Sequence, residues 1–385
     1  MSIRKRVWTT RTGERKESWI ADYFDGTGRR HQESFTTKGA AVAHLAQTTV
    51  DLRSGKHVVT DGKLTVADAA ERWLEHLKGE GRERTTTEGY ETHLRLHILP
   101  VLGRVRMAKL NHQVLENFRV HLLNELDANG QLVRSRNMAS RVWSSLRMML
   151  RYHRMAHLAD GIKGITLDSR HKPKLEVGVD IPINAEVKRL YEATAGTKPR
   201  DKRNRALICV LALCGLRASE LRGLRWEDVR FKEQELHIVQ RADCYRQIGP
   251  PKSASSRRTV PLLPETIQAL REWRLAQRDN PELVFATRGG RVPYHVALTQ
   301  SLDPVLRAAD LFVAGKRKYS LHSFRHFFAS WCINPVDRGG RGLSAKVVQT
   351  WLGHSTVAMT LDTYGHLFRE IDRTEAESAS AALLQ

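Results

Sequence analysis

Two polar, turn-rich breaks divide this sequence into three lengths. Ser54-Gly55-Lys56 and Asp61-Gly62-Lys63 form the first, and the basic, proline-marked His171-Lys172-Pro173-Lys174 forms the second. Glycine and proline interrupt helices and strands, so such stretches read as linkers between separately folded units. A chain of 385 residues is long enough for two or three domains. The units expected are 1–60, 64–160 and 175–385.

Within 1–60, Val7-Trp8-Thr9, Ser18–Phe24 and His31–Thr36 read as short strands. The turns between them fall at Arg11–Glu14 and Asp25-Gly26-Thr27-Gly28, and a helix over Gly39–Leu52 follows. In 64–160 four helices are expected. Thr65 and Asp68 open the first as a capping-box pair, and Val66, Ala69, Ala70, Trp73, Leu74 and Leu77 form its apolar stripe. The others cover Thr86–Ile98 (stopped by Pro100), Asn111–Leu126 and Ser135–Leu158. The last unit mixes helices at Asn184–Thr194, Ala206–Gly215, Glu265–Gln277, Val296–Ala309, Ser323–Cys332, Ser344–Leu352 and Thr356–Tyr364 with strands at Glu235–Gln240, Ala242–Ile248 and Arg258–Pro261. The Pro/Gly/Arg-rich stretch Asn334–Leu343 reads as a lengthened loop.

The longest apolar run, Ala206–Leu213, is core-sized and far short of the roughly 18 residues that cross a bilayer. Met1–Arg6 is basic but lacks the apolar stretch of a signal peptide, so a cytoplasmic protein is expected. Cys209, Cys214, Cys244 and Cys332 suit neither a disulfide framework nor a zinc site. Lys plus Arg is 63 against 42 Asp plus Glu, a formal charge of +21. Such a surplus concentrates polyanions, nucleic acid foremost. Arg134, Arg136, Arg141, Arg147, Arg151 and Arg154 accumulate along the fourth helix with no acidic residue among them, whereas a solvated face normally interleaves both signs. These six are candidate phosphate contacts.

No Walker loop, H-E-x-x-H or dense carboxylate cluster is present. Phosphodiester chemistry here would need a side-chain nucleophile and cationic side chains. His322 and Arg325 in Leu321–Phe328 share one helix face and can donate to two oxygens of one phosphate. Arg217 follows a helix-ending glycine, with Glu220 placed to hold its guanidinium. His354 lies at a turn in Trp351-Leu352-Gly353-His354-Ser355. Tyr364 closes a short helix before Gly365, loosely held and able to move. Lys252 sits in a hairpin turn, Pro250–Pro261. Each alone also fits an ordinary structural role: a surface ion pair, a capping tyrosine, a solvated lysine.

Together, and in this chain order, Arg217, Lys252, His322, Arg325, His354 and Tyr364 resemble the catalytic set of the tyrosine recombinase (phage integrase) family. The local contexts Gly-Leu-Arg-Ala-Ser-Glu-Leu, Leu-His-Ser-Phe-Arg-His-Phe-Phe-Ala-Ser and Leu-Gly-His-Ser carry the resemblance. It implies a multidomain, mainly α fold with small β-sheets. An arm-binding sheet-plus-helix domain would occupy 1–60, a four-helix core-binding domain 64–160 and a mixed α/β catalytic domain 175–385. It implies a site-specific recombinase in which Tyr364 forms a 3′-phosphotyrosyl link, without metal, ATP or other cofactor. Arg217, Arg325 and His354 would hold the phosphate, Lys252 would protonate the leaving oxygen and His322 would handle the tyrosine proton. The implied partners are double-stranded DNA at attachment sites, further copies of the chain in a tetramer, and an accessory DNA-bending or excision factor. In the family the tail beyond Tyr364 packs on a neighbouring protomer. A type IB topoisomerase would share the chemistry, and a non-catalytic DNA-binding protein would share the charge. The arm-like module and His354 of Leu-Gly-His-Ser favour the recombinase over the topoisomerase, and the six-residue set favours it over the non-catalytic protein.

Overall fold

The computed structural model describes residues 1–24, 28, 30–53, 63–166 and 175–365. Both linkers, apart from Lys63, most of the turn at Asp25–Gly28 and the tail beyond Gly365 therefore lie outside the described residues. The chain divides into two compact units, Met1–Lys172 and Pro173–Gln385.

The first unit opens with an antiparallel sheet of β1 (Ser2–Thr9), β2 (Arg15–Phe24) and β3 (Arg30–Phe35), in that order. Ile20, Ala21 and Tyr23 of β2 are buried, with α1 (Lys38–Arg53) packed against β2 and β3. Beyond the first linker, Thr65 caps α2 (Val66–Gly79). The Asp68 N–H donates to Thr65 Oγ1 at 3.2 Å, and the Thr65 N–H donates to the Asp68 carboxylate at 2.9 Å. The stripe Val66, Ala69, Ala70, Trp73 and Leu77 is buried as its spacing demands.

Pro100 does not end the helix before it. α3 (Arg84–His93) runs through a wider π turn at Leu94–Ile98 into α4 (Leu99–Leu102), where Pro100 occupies the first turn. The π turn, in which the Leu99 N–H reaches back to the Leu94 carbonyl, widens the backbone ahead of a residue that has no N–H to donate and whose ring crowds the carbonyl four residues earlier. α5 (His112–Asn124) follows, capped by Asn111.

α6 (Arg136–Tyr152) is capped by Ser135 and ends earlier than Leu158. Its neighbour His153 turns its ring onto the Ala69 carbonyl at 2.9 Å, and Arg154 takes a left-handed backbone, φ 58°. A separate 3₁₀ turn covers Ala156–Ala159. α6 buries Ala139, Val142, Trp143, Leu146, Met149 and Leu150, and exposes Arg136, Arg141, Arg147 and Arg151. Arg154 is exposed beyond the helix end. Arg134 departs from the set: it is buried, ion-paired to Glu125, and donates to the Leu122 carbonyl at 3.3 Å. It ties α6 to α5 and presents no cation to solvent.

The second unit is built around α8 (Pro199–Cys214), preceded by α7 (Asn184–Glu192). Every residue from Ala206 to Ala212 is buried, because α8 runs inside the unit against α10 (Pro264–Ala276) and α12 (Leu321–Ile333). Gly215 stops α8 at φ 63°, and a Cβ there would meet the Phe328 ring at 2.3 Å. Both the backbone and the space demand glycine. α9 (Ala218–Gly223) leads to a small antiparallel sheet of β4 (Val229–Arg230), β5 (Glu235–Ile238) and β8 (Arg258–Pro261), with Leu236 and Val260 buried as a pair.

The single strand expected over Ala242–Ile248 is instead a turn between two short strands, β6 (Arg241–Ala242) and β7 (Ile248–Gly249). Asp243 Oδ1 accepts from the N–H groups of Tyr245 and Gln247, both at 2.9 Å, which folds the segment back on itself. After α11 (Ala297–Ala308) a two-strand hairpin, β9 (Phe312–Val313) and β10 (Lys316–Arg317), precedes α12. The stretch Asn334–Leu343 is a compact loop pinned to the end of α12 by backbone bonds from Arg341 to Trp331 (2.9 Å) and Leu343 to Cys332 (2.8 Å). It delivers the chain to α13 (Ala345–Leu352) and α14 (Val357–Tyr364).

If α6 is both a core element and a solvent-facing basic surface, its two faces should respond differently to truncation. Trp143→Ala should cost roughly 3–5 kcal/mol of unfolding free energy, whereas Arg147→Ala should stay within about 0.5 kcal/mol. Urea titrations of the two variants check this.

Candidate active site

The site begins at the junction made by Gly215. Arg217 caps α9, and the acidic residue in that helix's first turn, Glu220, folds back on it. One Glu220 oxygen accepts from the Arg217 backbone N–H and the other from its Nη1, both at 2.8 Å. The same carboxylate takes a fork from Arg258 of β8, Nη1 at 2.9 Å and Nη2 at 2.8 Å. Burial alone would raise the Glu220 pKa. The Arg258 hydrogen bonds and charge, then Arg217 and Arg325, hold it down to about 2. Arg217 keeps a side chain one-third exposed and donates Nη2 to the Gly353 carbonyl at 3.1 Å.

Ser320 caps α12, which carries His322 and Arg325. Arg325 is buried, donating Nη1 to the Gly215 carbonyl at 2.7 Å and Nη2 to the Leu352 carbonyl. Burial first, then repulsion from Arg217 and Arg258, lowers its pKa to about 9, so it remains charged at neutral pH. Three guanidinium groups thus gather around one carboxylate, leaving a surplus of positive charge suited to an anion.

α13 ends at Gly353 with φ 64°, where a Cβ would press on the Ser255 carbonyl at 3.0 Å and on Arg258 Nη1 at 3.1 Å. His354 comes next and shares a 2.9 Å hydrogen bond between Nδ1 and the hydroxyl of buried Thr360. Burial, then the charges of Arg325, Arg217 and Arg258, pulls its pKa to about 4. Its imidazole is neutral at neutral pH.

Tyr364 lies on the last turn of α14 and is only 2% exposed. It is not loosely held: its hydroxyl is hydrogen-bonded to His326 Nδ1 at 2.7 Å. Nor do the nearby guanidinium groups yield a phenolate. Burial outweighs the pull of Arg325 and Arg217 and pushes the phenol up to about 12. His322 was expected to handle the tyrosine proton. His322 lies one helical turn earlier and meets His326 edge-on, ring centres 4.6 Å apart. Burial, then Arg325 and Arg217, lowers the His322 pKa too.

Arg217, His322, Arg325, His354 and Tyr364 therefore come together, linked by these fields. Lys252 stands apart in kind, exposed on the connection from β7 to β8. Two residues were overlooked in the sequence. Arg258 shares a face of β8 with buried Val260, two residues on, so its inward aim was available from the strand pattern. His326 lies four residues after His322, on the same helix face. Among the described residues no group of three or more His, Cys, Asp or Glu could hold a metal ion.

A phenol next to an anion-seeking cluster is equipment for phosphoryl transfer, and the basic helix of the first unit suits a nucleic-acid substrate. Comparison with known sequences agrees. The phage integrase family matches residues 184–370, and the N-terminal SAM-like domain of phage integrases matches residues 65–123. The chain belongs to the phage integrase family, the tyrosine recombinases, which break and rejoin DNA strands at specific sites. An integrase of Streptomyces ambofaciens is 28% identical over 388 residues, covering 94% of this chain and 93% of that one. The fold is similar to the Tn1549 transposon integrase in complex with transposon right-end DNA, with TM-score 0.60, 18% identity, and coverage of 84% of this chain and 100% of that one. It also resembles a lambda integrase tetramer bound to a Holliday junction, with TM-score 0.52, 16% identity, and coverage of 95% and 97%.

Glu220 sets a testable pH dependence. Its folded pKa, about 2, lies below the ordinary 4.5. The stability it contributes is therefore present above the ordinary value and lost as pH falls toward the folded one. Glu220→Gln, which strands buried Arg258, should cost roughly 3–5 kcal/mol near neutrality. The gap from wild type should narrow between about pH 5 and about pH 2.5. Denaturant titrations at several pH values measure it.

Proposed function

We propose that this recombinase cuts each strand by attack of Tyr364 on the scissile phosphorus, forming a 3′-phosphotyrosyl link and freeing a 5′-hydroxyl. The observation that carries this reading is the burial of the Tyr364 phenol within the field of Arg325 and Arg217. Arg217 and Arg325 stabilise the charge that builds on the non-bridging oxygens. His354 and His322, neutral imidazoles, add N–H donors to the same phosphate. Lys252 protonates the departing 5′-oxygen, for which its exposed loop leaves it accessible to DNA. The covalent link stores the energy of the broken bond, so a 5′-hydroxyl from either strand can reverse the step without ATP.

Residues 175–385 form the catalytic domain and 64–160 the domain that grips the core site, as the two family matches support. Arg136, Arg141, Arg147, Arg151 and Arg154 contact phosphates. Residues 1–60, a small sheet with a helix, bind arm-type DNA. The lambda integrase tetramer on a Holliday junction supports assembly of four copies on DNA. The resemblance to a transposon integrase supports integration and excision of a mobile element. The reaction takes place in the cytoplasm, whose reducing conditions suit the free thiols of Cys209, Cys214, Cys244 and Cys332.

A nicked suicide substrate tests the nucleophile. Tyr364→Phe should bind the duplex with wild-type affinity and trap no covalent adduct; an undiminished adduct ends the assignment. Arg217→Ala or Arg325→Ala should each lose about 2.7–4 kcal/mol of transition-state stabilisation in single-turnover cleavage. Affinity for duplex DNA should fall steeply with added salt, because phosphate contacts release counterions. A flat response between about 50 and 200 mM salt contradicts the phosphate-contact reading.

A further inference from the structure

We propose that His326 is a catalytic residue of the cleavage step, the immediate acceptor of the Tyr364 phenolic proton. The inference rests on the reading of Tyr364 as nucleophile. Its geometric basis is the 2.7 Å contact between Tyr364 Oη and His326 Nδ1. Tyr364 is 2% exposed, so bulk water is poorly placed to take that proton. Arg217 and Arg325, the charged groups acting on the phenol, present guanidinium groups, which donate hydrogen bonds and have no lone pair to accept it.

The surroundings of His326 leave a lone pair for the task. His322 and Arg325 act on it from its own helix, Tyr364 from α14, and Asp180 from the segment before α7. Burial, then His322 and Arg325, brings its pKa to about 4 against the opposing pull of Asp180. The ring is thus neutral at working pH, and Nδ1 can accept. Transfer ahead of attack is uphill, from a phenol near 12 to an imidazole near 4. The proton therefore moves as the Oη–P bond forms, because an oxygen becoming an ester loses its basicity. In that step the Oη–P bond forms and the P–O5′ bond breaks. The phenolic proton passes to Nδ1, and the departing O5′ keeps the electron pair and takes a proton from Lys252. On rejoining, the imidazolium returns its proton to the tyrosine oxygen.

The test compares full-length wild type with His326→Asn, which keeps a polar group in place but takes up no proton. The substrate is a nicked suicide duplex with sulfur as the 5′-bridging atom, a leaving group that needs no acid, so the step assigned to Lys252 drops out. Single-turnover adduct formation is followed from about pH 6 to about pH 8, below the range in which Arg325 would lose its charge. Wild type should be nearly flat. His326→Asn should be slower by roughly 10²-fold near neutrality, with a rate rising about tenfold per pH unit as it comes to depend on phenolate. A pH-independent deficit, a wild-type rate or a faster rate each overturns the proposal. Peptide mapping of the wild-type adduct separates the two readings, since an adduct away from Tyr364 sinks the nucleophile rather than the base. Should His326→Asn fail to bind DNA, 15N-histidine spectra of wild type and Tyr364→Phe decide. Removal of the hydroxyl should shift the His326 Nδ1 resonance, and an unmoved resonance overturns the proposal.

Discussion

The arrangement of the site depends on one buried carboxylate. Glu220 receives Arg217 from its own helix and Arg258 from β8, and Arg258 in turn donates to the Trp351 carbonyl at 2.6 Å, at the end of α13. Three elements distant in sequence are thereby joined through a single charged knot. Replacing the carboxylate would leave buried guanidinium groups facing one another. With it, Arg258 is neutralised inside the protein, while Arg217 stays partly exposed and keeps donor capacity for an incoming anion.

Around this knot the protein separates permanent charge from titratable groups. Arg325 stays charged at neutral pH, whereas the imidazoles of His322, His326 and His354 are driven toward neutrality and the phenol of Tyr364 is kept protonated. The same cations that attract a phosphodiester therefore discourage further positive charge beside it. For the phenol, burial costs the anion more than two nearby guanidinium groups return, so the nucleophile proposed here rests in its unreactive form when no DNA is present.

The first unit shows a parallel division on α6. Its apolar side is committed to the helical core, and its polar side carries arginines without intervening acids. Arg134 illustrates why charge counting along a helix is not enough. One residue before the cap, it is drawn inward by Glu125 and by the carbonyls at the end of α5, and it serves packing instead of solvent.

Much of this was legible from residue order alone. Helix caps at Thr65, Asn111, Ser135, Ser344 and Thr356, apolar periodicity and turn-forming glycines are local signals, and local backbone chemistry reproduces them in the structure. The motifs around Arg217, His322, Arg325, His354 and Tyr364 were legible for the same reason, each being a short stretch with its own geometry. What only the tertiary structure decided was partnership. Nothing near Tyr364 in the chain names His326, and nothing near Glu220 names Arg258, since those contacts span 38 residues in each case. Burial was decided there too: it enclosed a tyrosine expected to be loosely held and kept its phenol protonated, because desolvation is a property of the packed whole and not of any segment.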